Sequence, residues 1–421
     1  MLTFAYILWY NVILKIFLLK RCFMINEKMR ELGARRSAIR ELFEYGKARK
    51  AQIGEENVFD FSLGNPDLPA PDCVNNTIVD LIKSTDPKTL HGYTSAVGDF
   101  DTRVAIASDL EARFSHKIDP SLIYITVGAA ASLVCAISAV TNVGDEVIVL
   151  APYFPEYKIF IERCGGVVRE VKCLANTLMP DVRAIADAIN ERTAAIIINT
   201  PNNPTGVVYG EECIREIAKM LEEKERTLAR SIYVISDEPY RELVYDGATV
   251  PFIPTHYRNT IICYSFSKVL SIPGERIGYC LVNANADSAR EVYDAIAGSA
   301  RSFGYVCASS LMQKIIPNCL KCQPDFTYYD RNRILLCEKL SELGFKIAKP
   351  QGAFYVFIKS PCTSAEEFCD AARAREILIV PSDSFGYEGY ARLAYCVSMD
   401  TIKASLPAFE KLAQDLGLIE K

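Results

Sequence analysis

The sequence predicts an α/β protein: a large domain whose mainly parallel sheet lies between helices, joined to a smaller α+β domain. Three observations carry this. The chain has 421 residues, more than one hydrophobic core ordinarily serves, so two domains are expected. From about residue 120, short β-rich runs alternate with helical stretches, the pattern of βαβ units. After residue 300 that rhythm gives way to a long helix and a mixed region of strands and helices.

The elements follow in chain order. Leu2 to Leu19 is mostly apolar, but Asn11 and Lys15 interrupt it and no small-residue cleavage site follows. It is a poor signal peptide and a marginal membrane span. Met24 and Met29 open an ordinary polar helix pattern. A misassigned upstream start is therefore the favoured account of residues 1–23, with a membrane-surface anchor as the alternative. Ile123 to Val127 reads as a strand and Ala129 to Val140 as a helix; Glu146 to Leu150 is the next strand, followed by a helix to Cys164. Ala194 to Asn199 and Ile232 to Ile235 are strands around the amphipathic helix Glu211 to Thr227, and Thr260 to Tyr264 and Ile277 to Val282 are two more. The long helix Tyr328 to Leu343 then leads into a strand-helix-strand-strand-helix region ending near Leu418. No internal repeat or low-complexity segment interrupts the order.

Composition narrows the function. A net charge of -5 gives no basic footprint, which disfavours nucleic-acid binding, since neutralising phosphates needs clustered Lys and Arg. Several of the 15 cysteines, Cys135, Cys263, Cys280 and Cys396 among them, sit in apolar runs. There a reduced thiol packs as a small hydrophobe, and a reducing cytosol is expected. Cys319 and Cys322 form one CxxC with no second pair or nearby His, so it reads as chance spacing at a helix end, and no metal site is expected.

The chemistry gathers at one kind of place. Gly128, Tyr153, Asn203, Asp237 and Ser265 each follow the carboxyl end of an expected strand, where open α/β sheets bind ligands. After the run Thr260 to Tyr264 comes Lys268, with Ser265 and Ser267 before it and Arg276 after. A lysine of lowered pKa forms Schiff bases with carbonyls, and hydroxyls with an arginine fork hold phosphate. In Gly128-Ala129-Ala130-Ala131-Ser132, small residues let a helix N-terminus approach an anion. A plain tight turn has the same composition, so this run is weak alone.

Asp237 ends an apolar run, where a desolvated carboxylate needs a cationic partner to stay charged. A protonated ring nitrogen would serve; a turn or cap aspartate is the plainer account. Asn199-Thr200-Pro201-Asn202-Asn203-Pro204-Thr205-Gly206 makes a stiff loop that aims an amide, and Pro201 and Pro204 are candidates for cis bonds. Tyr153 and Phe154 offer an aromatic face for a flat ring, though aromatics beside proline are also common in cores.

These motifs, with Phe61-Ser62-Leu63-Gly64-Asn65-Pro66-Asp67, Asp237-Glu238-Pro239-Tyr240, Gly352-Ala353-Phe354-Tyr355 and Ala391-Arg392-Leu393-Ala394-Tyr395, resemble class I/II aminotransferases over roughly residues 30 to 415. Those are fold-type I pyridoxal phosphate enzymes. The resemblance implies a seven-stranded sheet and pyridoxal 5'-phosphate as cofactor. It implies that Lys268 holds the cofactor as a Schiff base and shuttles the catalytic proton, and that Asp237 pairs with the ring nitrogen. Asn203 and Tyr240 would bond the ring hydroxyl, and Phe154 would stack on the ring, with Tyr153 as the alternative. Ser265, Ser267, Arg276 and the backbone at Ala129 and Ala130 would hold the phosphate, with Tyr93 reaching it from a neighbouring subunit. Arg392 would clamp the substrate carboxylate, helped by the Gly64 backbone.

The expected reaction is amino transfer from an L-amino acid to a 2-oxo acid by a cytoplasmic homodimer with shared active sites. A β-lyase of the same fold is the alternative, and a cofactor-sensing regulatory module a remote one, since no helix-turn-helix pattern precedes the resembling part. The expected division is residues 1–23 as a leader, 24–70 as a segment of the small domain, 71–323 as the large cofactor-binding domain and 324–421 as the small domain. No second arginine can be assigned to a distal carboxylate, and the leader belongs to no part of the family pattern.

Overall fold

The computed structural model describes residues 25–34 and 38–420; the apolar leader lies outside them. Thirteen strands are described: β1 Phe59–Asp60, β2 Ile123–Thr126, β3 Glu146–Ala151, β4 Val167–Lys172, β5 Thr193–Asn199, β6 Tyr233–Asp237, β7 Thr260–Ser265, β8 Gly278–Val282, β9 Ile347–Ala348, β10 Tyr355–Lys359, β11 Ile377–Leu378, β12 Val380–Pro381 and β13 Tyr390–Ala394. Seven form one sheet in the order β2-β8-β7-β6-β5-β3-β4. All neighbours in it are parallel except those of β8, which runs antiparallel to β2 and β7. The expected mainly parallel seven-stranded sheet is what the chain forms.

The physical reason lies in burial. Every residue of β3, β5, β7 and β8 is buried, as expected of strands covered by helices on both faces, which read as continuous apolar runs. The helices Ala129–Val140, Glu211–Leu228 and Ala289–Phe303 pack their apolar sides onto that sheet in one core with Val147, Ile196, Val234 and Ile261. β4 was not among the strands expected. It lies at the sheet edge and most of its side chains are exposed or half-buried, so Arg169, Glu170 and Lys172 hide the apolar signal.

After the helix Thr327–Glu342 comes a four-stranded antiparallel sheet, β12-β13-β10-β9, backed by Ala365–Arg373 and Met399–Asp415. These share a second core with Phe61, Phe354, Phe368 and Phe409. The N-terminal segment joins this part directly: β1 pairs in parallel with β11, Phe59 opposite Ile377 and Asp60 opposite Leu378. The chain then crosses through Ser62, Leu63 and Gly64 toward the large sheet.

One expectation changes. Cys73 and Cys322 are bonded to each other across 249 residues of sequence, so the cysteines are not all free thiols. Cys319 remains a buried free thiol at the end of its helix. The CxxC spacing concealed this because Cys322 takes a partner from a distant helix. Among the described residues no cluster of His, Cys, Asp and Glu suits a metal ion, and no helix is long and apolar enough to cross a membrane.

Candidate active site

A cavity of about 290 Å³ opens at the carboxyl ends of the parallel strands. Lys268, Asp237, Asn203, Tyr240, Ser265, Ser267, Arg276, Ala129, Ala130, Phe154, Gly64 and Arg392 all line it. Tyr93 does not: its side chain is fully exposed, and nothing among the described residues brings it to the cavity. Between the two aromatic alternatives the geometry is plain. Phe154 lines the cavity, whereas Tyr153 is buried and donates to Glu170 Oε1 at 2.7 Å.

Asp237 ends β6 and is buried. The Tyr157 hydroxyl donates to its Oδ2 at 2.5 Å, and Asn199 Nδ2 reaches the same oxygen at 3.3 Å. Its Oδ1 is buried with no partner. Burial pushes the carboxyl up to about 7, with the Tyr157 bond opposing that rise. Asn199 also ties this end together, accepting from the Asn203 backbone at 2.8 Å. Behind the site, Glu238 pairs with Arg241, whose guanidinium lies 5.3–5.4 Å from the rings of Phe114, Phe252 and Tyr264. The segment after β6 is thereby fixed from both sides.

Lys268 lies in the short helix Phe266–Val269 after β7. Its Nζ donates to the Gly64 carbonyl at 2.7 Å. Burial pulls its pKa down to about 8, and the Arg276 and Arg392 charges act in the same direction. The Ser265 and Ser267 hydroxyls are 2.8 Å apart, and Arg276 Nη1 reaches Ser267 Oγ at 3.5 Å. Facing them is the N-terminus of Ala129–Val140, whose first amides have no acceptor within the helix. Two hydroxyls, a guanidinium and a helix N-terminus make an oxyanion cradle.

Arg392 sits mid-strand on β13, opposite Phe357 on β10 and Val380 on β12, so its backbone is held from both sides. Its Nη1 donates to Asn203 Oδ1 at 3.1 Å and its Nη2 to the Ser62 carbonyl at 2.5 Å. Its Nε is buried without a partner. Burial lowers its pKa, yet a guanidinium keeps its charge in proteins. A carboxylate would supply the missing acceptor.

The bonds of Pro201 and Pro204 are cis, as is that of Pro152. Gly206 closes the loop with a φ of 72°, and an added Cβ would meet the Tyr355 carbonyl at 2.8 Å, so a side chain there would push the loop off β10.

Three residues with clear places here were given no role from sequence: Tyr157, Asn199 and Tyr355. The Tyr355 hydroxyl lies 2.8 Å from that of Tyr240, and its ring is 4.7 Å from the Arg392 guanidinium. Asn199 and Tyr355 lie inside runs already singled out, and Tyr157 lies three residues after Phe154. Only three-dimensional neighbours reveal their partners.

A lysine of lowered pKa, an oxyanion cradle and a buried carboxylate short of a cation fit a planar phosphorylated aldehyde with a protonated ring nitrogen. The fold and site together define an α/β protein with a built ligand site at the carboxyl edge of its sheet. Residues 56–409 match the family described as aminotransferase class I and II, and the chain belongs to it; the protein is an aminotransferase. A crystal structure of an amino transferase from Eubacterium rectale superposes with a TM-score of 0.91 at 48% identity, covering 93% of this chain and 99% of that one. An aspartate aminotransferase from Thermotoga maritima is 28% identical, covering 92% of this chain and 98% of that protein. An aspartate/prephenate aminotransferase from Thermus thermophilus is 30% identical, covering 83% and 90%.

Proposed function

We propose that the chain uses pyridoxal 5'-phosphate to move an amino group from an L-amino acid to a 2-oxo acid. One observation carries this reading: a half-buried lysine of lowered pKa converges on one cavity with a buried carboxylate and a buried arginine that each keep an atom without a partner. Bound there, the cofactor supplies an electron sink for negative charge developing on the substrate Cα.

The chain's own residues do the rest. Ser265, Ser267, Arg276 and the amides of Ala129 and Ala130 hold the phosphate. Asp237 keeps the ring nitrogen protonated, Asn203 and Tyr240 bond the ring hydroxyl, and Phe154 covers the ring face. Lys268 Nζ would hold the aldehyde and, as the free amine, would take and return the proton at the substrate Cα. Burial, which pulls its pKa down to about 8 in the cofactor-free chain, favours the neutral amine that attacks a carbonyl. Arg392 orients the substrate through its α-carboxylate, with Gly64 beside it.

The same reading makes the protein a cytoplasmic homodimer in which the exposed Tyr93 reaches the neighbouring subunit's phosphate. It also assigns residues 24–70 and 324–421 to one small domain, supported by the β1–β11 pairing, and residues 71–323 to the large one.

The test is a half-reaction screen. Purified protein with pyridoxal phosphate is mixed with single amino acids, and loss of visible absorbance is followed together with 2-oxo acid release. Conversion of the cofactor to its amine form by amino acid alone is expected. Full activity in Lys268→Ala would overturn the reading.

A further inference from the structure

We propose that Tyr355 is a positioning residue that joins the carboxylate clamp to the ring-hydroxyl end of the site. This rests on the pyridoxal phosphate reading above. Tyr355 opens β10 opposite Ala394, which makes it the diagonal neighbour of Arg392 on β13. That register lays the guanidinium over the tyrosine ring at 4.7 Å. The same ring brings its hydroxyl 2.8 Å from that of Tyr240. Both tyrosines are buried, and the carbonyl of neighbouring Ala353 is held by the Tyr245 hydroxyl at 2.6 Å and the Tyr395 hydroxyl at 3.2 Å. The strand start that carries Tyr355 is therefore fixed.

Counting protons sets the direction of the bond. Each phenol has one O–H to give. With a ring oxygen to bond, Tyr240 spends its proton there, and its own oxygen is left as an acceptor. Tyr355 must then donate to Tyr240. A chain of two donors polarises each link, so Tyr240 becomes the stronger donor. Stronger donation draws charge from the ring oxygen and lowers its hold on the proton it shares with the lysine nitrogen. Around Tyr355 stand Arg392, Cys396 and Tyr240; around Tyr240 stand Tyr355, Arg392 and Asp237; around Lys268 stand Cys396, Arg276 and Arg392. Asn203 bonds Arg392 directly, and Tyr355 is the side chain that touches both Arg392 and Tyr240.

The measurement is a pH titration of the visible absorbance of enzyme loaded with pyridoxal phosphate. Tyr355→Phe is expected to raise the midpoint by about half to one pH unit, the worth of one ordinary hydrogen bond. In a Tyr240→Phe background the same substitution should add no further shift, because the relay has lost its second link. Gly64→Ala supplies a second displacement: its Cβ would fall against the Tyr355 hydroxyl, so it should also raise the midpoint with the tyrosine intact, and because the Gly64 carbonyl also holds Lys268, that rise counts for the relay only if it vanishes in the Tyr240→Phe background. An unmoved midpoint in Tyr355→Phe, or an equal shift in both backgrounds, overturns the relay while leaving the cofactor reading in place. If Tyr355→Phe does not fold, an unmoved midpoint in Gly64→Ala overturns it. A wild-type protein that develops no visible absorbance with the cofactor overturns the reading itself, and the relay with it.

Discussion

The two ends of the cavity are both short of a counter-charge, and they meet the shortage in opposite ways. At the sheet end, Asp237 has one oxygen without a partner, and burial pushes it to about 7, so it can go neutral by taking a proton. At the other end Arg392 also has an unpartnered nitrogen. It cannot become neutral, and instead leans on the Asn203 amide, the Ser62 carbonyl and the Tyr355 ring. On the function proposed above, the difference matches how long each missing partner stays. A resident ring cation can be waited for by a group that is neutral meanwhile. A substrate that leaves on every turnover is better met by a cation already charged and aimed.

That contrast can be broken at either end, and the largest effect is expected at Asp237. Asp237→Asn should cut the rate of the amino-acid half-reaction by about a hundredfold to a thousandfold, as loss of one aimed electrostatic group does, with a much smaller change in KM. Stopped-flow half-reactions check this, and a pure KM effect would erase the distinction between the ends. Arg392→Lys should do the reverse, raising KM for the amino acid about tenfold to a hundredfold while the amount of cofactor bound stays unchanged, since a point charge replaces a two-pronged fork. Steady-state kinetics beside a spectrum decide it.

A third prediction concerns pH. In the cofactor-free protein the folded Asp237 carboxyl keeps its proton up to about 7, whereas the unfolded one loses it near 3.8. The folded state therefore binds the extra proton, and stability falls as pH rises between those values, by at most about 1.4 kcal/mol per pH unit. Lys268 works with the opposite sign at higher pH: folded near 8 against 10.5 unfolded, it adds stability as pH rises through that window. Thermal melts of wild type and Asp237→Asn should differ in slope below neutrality, and identical slopes would show that Asp237 is not the group responsible. The smallest effect is expected from Tyr157→Phe, which removes one donor from the carboxylate. Cofactor affinity should drop about fivefold to tenfold, read by equilibrium dialysis.

Some of this was legible in the sequence and some was not, for different reasons. Strands buried on both faces, such as Thr260–Ser265, announce themselves as unbroken apolar runs. The edge strand Val167–Lys172 does not, and two-residue strands such as Phe59–Asp60 are too short to carry a period. Lys268, Asp237 and Arg276 could be picked out because their residue types suit the chemistry and they follow strand ends. Tyr157, Asn199 and Tyr355 could not, because each acts through a residue distant in sequence: Asp237 is 80 positions from Tyr157, and Tyr240 is 115 from Tyr355. The Cys73–Cys322 bond was hidden in the same way.

The crossing segment Ser62-Leu63-Gly64 carries a last consequence. One carbonyl of this segment receives Arg392 and another, two residues on, receives Lys268. One further residue of extended chain would add about 3.3–3.6 Å, more than either bond tolerates. The stretch is thus a spacer of fixed length, closed to insertion and deletion, and on the function proposed above it sets the gap between a substrate's carboxylate and its reacting carbon.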